Sequence, residues 1–246
     1  MTKRILMIYI SLFICATLFA QNDPIVASGG YSKIYKGKEA SFEKAVTSHV
    51  AKWHGPDQWR TFAAKVMSGP RTGQYFMGTA NHYWKDYADR KSIKPHNVEW
   101  KKIVDKHVEE QGGMTFYEKR LDASYNDRSS PMWETVSYYT KPGKRGTMLE
   151  ILRKGAAANR RLRFSGSTGV YSQISGGEQD GILAVINRMD SMADMALPSP
   201  TIKERWVKVY GEEVFNKAVK DWYDSFKKSE SEILKVIPEM TTPSNN

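Results

Sequence analysis

Apolar and polar residues alternate along parts of this chain with a period of two, and along others with the longer period of a helix. From Gly73 to Trp84 the alternation puts Tyr75, Met77, Thr79, Asn81 and Tyr83 on one face and Phe76, Ala80, His82 and Trp84 on the other. A strand with two usable faces is predicted there. Tyr31 to Tyr35 and Val136 to Thr140 also read as β-like stretches. Phe42, Val46, His49, Val50 and Trp53 instead recur at helical spacing, as do Trp100, Ile103, Val104 and His107, which predicts two amphipathic helices in the first half of the chain.

These elements come in the same order twice. Lys36-Gly-Lys-Glu-Ala-Ser-Phe-Glu-Lys-Ala-Val46 and Pro142-Gly-Lys-Arg-Gly-Thr-Met-Leu-Glu-Ile-Leu152 each follow a β-like stretch and read as a Gly-Lys turn opening a helix. Gly37 aligns with Gly143, Lys38 with Lys144 and Ser41 with Thr147, and Thr147 with Glu150 has the spacing of a capping box. Downstream, Met67-Ser-Gly and Ile174-Ser-Gly each precede a turn closed by a glycine, Gly73 and Gly181. Strands Tyr75 to Ala80 and Ile182 to Ile186 follow, then Tyr87-Ala-Asp89 and Met192-Ala-Asp194. A helix is expected from about Asn97 in one copy and Glu212 in the other, before closing strands at Met114 to Leu121 and Glu232 to Ile237. Gly112-Gly113 is expected to mark a helix end.

Each copy therefore reads β-α-β-β-α-β, a ferredoxin-like order. The first runs from Tyr31 to Tyr125 and the second from Trp133 to Met240, with Asn126 to Pro131 as linker. The second carries an insertion, Leu197 to Gly211, in which Thr201 and Glu204 are placed as a further capping box. The fold class is α+β. Taken as tandem units over Tyr31 to Met240, the chain resembles the dimeric α+β barrel superfamily, which includes stress-responsive barrel proteins and antibiotic-biosynthesis monooxygenase-like proteins. The resemblance implies two ferredoxin-like sheets joined in one barrel, here within a single chain. It is a likeness of topology, so function carries over only as a class of alternatives.

The N-terminus adds a location. Lys3 and Arg4 precede an uncharged apolar run from Ile5 to Phe19, and the small Ala20 comes before Gln21. This is the order of a cleavable secretory signal over residues 1–20, and the run is shorter than the roughly 20 residues a spanning helix needs. Its removal takes away Cys15, the single cysteine, so the exported chain of about 226 residues is expected to rely on its core without disulfides. No other segment is long and apolar enough to span a membrane. Periplasmic or extracellular work is expected after cleavage.

The chain has 37 basic and 27 acidic residues, a formal net charge of +10. The basic residues are spread out, apart from short clusters such as Arg160-Arg161-Leu162-Arg163, and export speaks against a nucleic-acid partner.

Histidines carry the most suggestive chemistry, because all five (His49, His54, His82, His96 and His107) lie in the first copy. His49 and His107 share the apolar faces of the two helices with Trp53 and Trp100, and Gly155 stands where the first copy has His49. One reading makes His49, His107 and His82 acid/base groups, or metal or haem ligands, in a pocket between helices and sheet; the other makes them satisfied core histidines. Trp53, Trp100, Asn81, Trp84 and Tyr83 are the candidate ligand-binding residues, with Asn81 and His82 near a pocket mouth. The sequence has no His-Glu-x-x-His or cysteine spacing, no Gly-x-Ser-x-Gly elbow and no phosphate loop, so no dedicated metal site or cofactor is assigned. With 7 Trp, 13 Tyr and 9 Phe, the chain suits a protein that binds a small apolar ligand. The alternatives are a cofactor-independent monooxygenase-like or haem-handling enzyme using the first-copy histidines, and an envelope-associated interaction module. Oligomeric state stays open between monomer and homodimer.

Overall fold

The computed structural model describes residues 23–55, 58–90, 94–177 and 181–243; the expected signal segment lies outside them. Strand β1 (Val26–Ile34) turns into helix α1 (Glu39–Trp53), followed by the hairpin strands β2 (Thr61–Ser68) and β3 (Tyr75–His82). A short helix α2 (Trp84–Asp89) leads to α3 (Lys94–Ile103), and β4 (Val108–Gln111) and β5 (Thr115–Lys119) complete this half. The order then recurs: β6 (Met132–Thr140), α4 (Arg145–Arg161), β7 (Thr168–Ser175), β8 (Ile182–Met189), α5 (Ile202–Tyr210), α6 (Glu212–Tyr223) and β9 (Phe226–Val236). Matched turns share a backbone state that favours glycine. Gly37 and Gly143 have φ of 79° and 71°, Gly69 and Gly176 99° and 88°, and Gly73 and Gly181 87° and 65°.

The strands form one antiparallel sheet in the order β3-β2-β9-β6-β8-β7-β5-β1, and β1 pairs back onto β3 to close it. Strand β4 pairs with Ser32–Ile34 and β5 with Val26–Gly29 along the same edge of β1, so together they act as one strand broken at Gly112-Gly113. The result is an eight-stranded barrel of two ferredoxin-like units. Its two seams are equivalent: β2 meets β9 (Val66 opposite Leu234) and β7 meets β5 (Tyr117 opposite Gln173). At the closure, Gly78 lies opposite Gly29, and a Cβ on Gly78 would run into the Ser28 carbonyl oxygen, so side chains are excluded where β1 and β3 approach.

Alternation gives every strand an inner and an outer face, and three apolar clusters result. Outside the first half, Phe42, Val46 and Val50 of α1 bury against Ala63, Tyr75 and Val104, with Trp100 and Met77 packed alongside. Full burial of each such side chain stabilises by roughly 1.5–3 kcal/mol. Outside the second half, Met148 and Leu149 of α4 meet Val170 and Leu183, flanked by Tyr138, Trp222 and Phe226. Inside the barrel, Ala64, Val66, Trp133 and Leu234 gather Tyr31, Phe62, Phe76, Ile186 and Val236.

Several local expectations change. Helix α4 starts at Arg145 with Lys144 as its N-cap and no side-chain cap bond, so Thr147 lies inside the helix rather than at its cap. Gly112-Gly113 interrupts a strand and does not end a helix. Helix α3 stops at Ile103, and a 3-10 turn (Asp105–His107) carries His107 off the helical stripe. In the insertion, the expected box is present: Thr201 Oγ1 accepts from the Glu204 backbone N–H at 3.3 Å, and Glu204 accepts from the Thr201 N–H at 2.7 Å.

The alternation of β3 also breaks near its end. Between Val26 and Ser28 of β1, Ala27 alone faces two residues of β3, Ala80 and Asn81, and Asn81 takes φ 61° to absorb the extra one. Tyr75 and Met77 face the helices, while Phe76, Ala80 and Asn81 line the interior. His82 is sent to the outside, and Tyr83 and Trp84 leave the strand to start α2.

Candidate functional site

The inner faces enclose a cavity of about 710 Å³. Its wall is aromatic and drawn from both halves: Tyr31, Phe62, Phe76, Tyr117, Trp133, Tyr139 and Tyr171, filled out by Ile182, Ala184, Ile186, Leu234 and Val236. Small residues at Ala27, Ala80 and Ala184 leave the space that larger side chains would have occupied. Burial raises the hydroxyl pKa of Tyr31, Tyr117, Tyr139 and Tyr171, so these groups stay neutral at physiological pH.

The two ends of the lumen differ. At one end the β2–β3 turn inserts Arg71, whose Nε and Nη2 donate to Glu232 at 3.0 and 2.9 Å. Tyr31 donates to the same carboxylate at 2.8 Å, Tyr139 donates to Glu230 at 2.9 Å, and the guanidinium lies 4.2 Å from the Tyr31 ring centre. Burial works against the Arg71 charge, yet the bonds to Glu232 outweigh it and push its pKa up. This group forms a satisfied polar plug.

The opposite end is bordered by Arg60, Asn81, Arg128 to Pro131, Pro238 and Thr241 to Pro243. Just inside it, Asp127 receives Lys119 at 2.6 Å and Arg188 at 2.7 Å. Arg188 also donates to Tyr171 at 3.2 Å and lies 5.1 Å from the Trp133 ring centre. Burial opposes the Asp127 charge, but Arg188 and Lys119 prevail and hold its carboxyl below the usual range. Two cations share one carboxylate, which leaves this end with a positive excess.

A second cluster lies outside the sheet. His49 of α1, His54 just beyond α1 and His96 of α3 each bring a ring nitrogen within 4.8 Å of the other two. His54 and His96 face each other through their Nε2 atoms at 3.1 Å. His49 is fully buried, and neither of its ring nitrogens has a hydrogen-bond partner; Glu99 Oε1 comes no nearer to Nδ1 than 3.5 Å. Burial, reinforced by His96 and His54, depresses the pKa of His49 to about 4, with Glu99 opposing. Burial also lowers that of His54. Both rings are neutral at physiological pH.

The expected site residues are thus divided. His49, Trp53 and Trp100 do come together, with His49 at 5.0 Å from Trp100 and 6.4 Å from Trp53 between ring centres. Trp53 donates to Glu99 at 3.0 Å. His107 lies away from them near Lys38, at the start of α1, about 16 Å along the helix from His49 at 1.5 Å per residue. His82 stacks on Trp59 at 3.8 Å on the outside, with Tyr87 against its edge. Trp84 packs on Tyr87 and Phe116, Tyr83 is exposed, and of the proposed ligand contacts Asn81 alone reaches the cavity. The pocket expected between helices and sheet is occupied by the α1 core, because the helices fill that face; the free volume lies on the other face. From sequence, His54 and His96 are named only among the five first-copy histidines, with no role of their own, and Glu99 not at all. Their signal was weak but present, as His49 and His54 lie five apart across a helix end and His96 and Glu99 are three apart on one helix.

No known family model matches the sequence, and no curated protein matches it. Solved structures do match. A candidate monooxygenase from Lactobacillus acidophilus aligns with a TM-score of 0.57 at 8% identity, covering 90% of this chain and 96% of its own. An anthrone oxidase-like protein gives 0.55 at 10% identity over 89% and 93%. A chlorite dismutase from Candidatus Nitrospira defluvii gives 0.51 at 8% identity over 92% and 97%. At such identities the likeness establishes the dimeric α+β barrel fold, with both halves included.

Proposed function

We propose that this chain is an exported binding protein whose barrel lumen holds a small, largely aromatic molecule bearing an anionic group. Export rests on the N-terminal sequence, and the ligand class rests on the lumen. The carrying observation is the 710 Å³ cavity, within the roughly 300–1,000 Å³ range of small-molecule sites. Its aromatic wall supplies apolar contact, and hydroxyl oxygens such as those of Tyr31 and Tyr139, whose protons go to Glu232 and Glu230, keep lone pairs to accept from a guest. Lys119 and Arg188, sharing Asp127 near the open end, favour an anionic group there.

Two naphthalene dyes test this reading: anilinonaphthalene sulfonate and its uncharged analogue N-phenylnaphthylamine, titrated by fluorescence. One sulfonate dye per chain should bind with a Kd of about 1–10 μM. Ala184→Trp should abolish binding of both dyes by filling the lumen. Arg188→Gln should weaken the sulfonate about tenfold and the neutral dye far less. Affinity unchanged in Ala184→Trp would overturn the lumen as the site.

A second reading is favoured by the fold neighbours named as monooxygenase and oxidase-like proteins. In it, the same lumen oxidises its aromatic guest. Among the described residues no histidine lines the cavity, so the first-copy histidines would not serve as its acid/base groups. Incubation with anthrone in air, with oxidised product sought by mass spectrometry, distinguishes turnover from binding alone.

A further inference from the structure

We propose that His49, His54 and His96 form a three-histidine site for a borderline divalent transition-metal ion of the Zn²⁺ class, clipping α1 to α3 outside the barrel. Imidazole nitrogen is a preferred ligand for such ions, and three histidines with one open position is an established zinc arrangement. The observed spacing fits. A tetrahedral ion with Zn–N bonds of about 2.0–2.1 Å needs ligand nitrogens about 3.4 Å apart. His54 and His96 already place their Nε2 atoms 3.1 Å apart, and the whole set lies within 4.8 Å.

The hydrogen-bond pattern points the same way. His54 Nδ1 lies 2.6 Å from the Trp59 carbonyl oxygen, which can only accept, so Nδ1 carries the proton and Nε2 presents a lone pair. His96 Nδ1 lies 2.9 Å from Asn97 Oδ1; with the carboxamide in this orientation Nδ1 donates and Nε2 of His96 presents a lone pair. Two lone pairs then face each other at 3.1 Å, an arrangement that a metal ion bound between them would relieve. Carbonyl and amide oxygens behind ligating imidazoles are the usual second layer of a metal site, fixing tautomer and ring orientation.

His49 supplies an independent observation. It is 0% exposed and both its nitrogens lack a partner, a cost that a buried polar group normally avoids. A metal bond to one of them removes that part of the cost. Glu99 is not needed as a ligand, since one oxygen accepts from Trp53 and the other pairs with Lys52. The fourth position is left for water or another small ligand, on the side where His96 is only half-buried. The second half has no counterpart: Gly155 occupies the place of His49, and its space is taken by Trp206, 3.4 Å from where a Cβ would stand.

The test uses the exported chain without a histidine tag, stripped with chelator and titrated calorimetrically with Zn²⁺, then optically with Co²⁺. One equivalent should bind, Co²⁺ should give the visible bands of a four-coordinate nitrogen site, and Zn²⁺ should raise Tm. His96→Ala should weaken Zn²⁺ by about 100-fold or more and remove the Co²⁺ bands. Because His96 is half-buried on a surface helix, this variant should keep the far-UV spectrum and the dye binding of the parent. His107→Ala, away from the cluster, should bind like the parent. Absence of micromolar Zn²⁺ binding in the folded parent would overturn the site. So would equal affinity in His96→Ala, or loss in His107→Ala. Dye binding is read separately, so the lumen and the metal site stand or fall independently.

Discussion

Asp127 shows how far a single side chain can depart from what its neighbours in sequence suggest. It belongs to the polar segment Asn126 to Pro131, which reads as a linker, yet its carboxylate is 6% exposed and takes bonds from β5 and β8. Its folded pKa is lowered, so as pH falls the unfolded chain takes up a proton first. The contribution is therefore complete above the ordinary carboxylate value near 4 and is lost as pH drops through the lower folded value. Thermal melts from pH 7 to pH 2 should show Tm falling below about pH 4. In Asp127→Asn that acid slope should be shallower, while stability at pH 7 drops by about 3 kcal/mol because Lys119 and Arg188 lose their counter-charge. A parallel displacement of the whole curve, with the acid slope unchanged, would show that Asp127 does not titrate in this way.

At the level of elements, local rules worked where the local group had no competitor. The Thr201–Glu204 box forms as spaced, and Thr201→Ala should cost about 1 kcal/mol, measurable by urea denaturation with an unchanged slope. Thr147–Glu150 has the same spacing but does not cap, because Gly143 at φ 71° starts the turn early and α4 is under way by Arg145. The α1 stripe held as well, with Phe42, Val46, His49 and Val50 all buried. The α3 stripe did not reach His107, because the helix ends at Ile103 and the chain pairs as β4. A helical period cannot reveal where tertiary pairing will interrupt it. The bulge at Asn81 is a similar case: strict alternation was legible, but the extra residue depends on how β1 and β3 meet.

At the scale of the whole molecule, each half leaves two strand edges that only the other half covers. The β2–β9 and β5–β7 ladders join the halves, and the lumen has walls from both. An isolated half would expose those edges together with its inner aromatic face. A fragment of residues 23–131 should therefore run as a dimer or larger species by native mass, whereas the full chain closes its own barrel. Co-expression with residues 132–243 should recover a one-to-one complex that binds the sulfonate dye. A well-behaved monomeric half would mean that the seams are dispensable.

The sequence by itself determined the order of elements and its recurrence, the buried face of α1 and the turn glycines. Each of these depends on residues within a few positions of one another, through period, steric freedom or capping. That order carried the resemblance to the dimeric α+β barrel superfamily, and the structure has that fold. Which face of the sheet stays empty was decided only by tertiary structure. Both faces are apolar and aromatic in the sequence, but helices cover the outer one, while closure of eight strands leaves a space that the inner side chains do not fill. The grouping of His49 with His54 and His96 rather than His107 likewise depends on where α1 and α3 end and how they lie against each other. Contacts of that kind join positions 42 to 47 residues apart, and no local period records them.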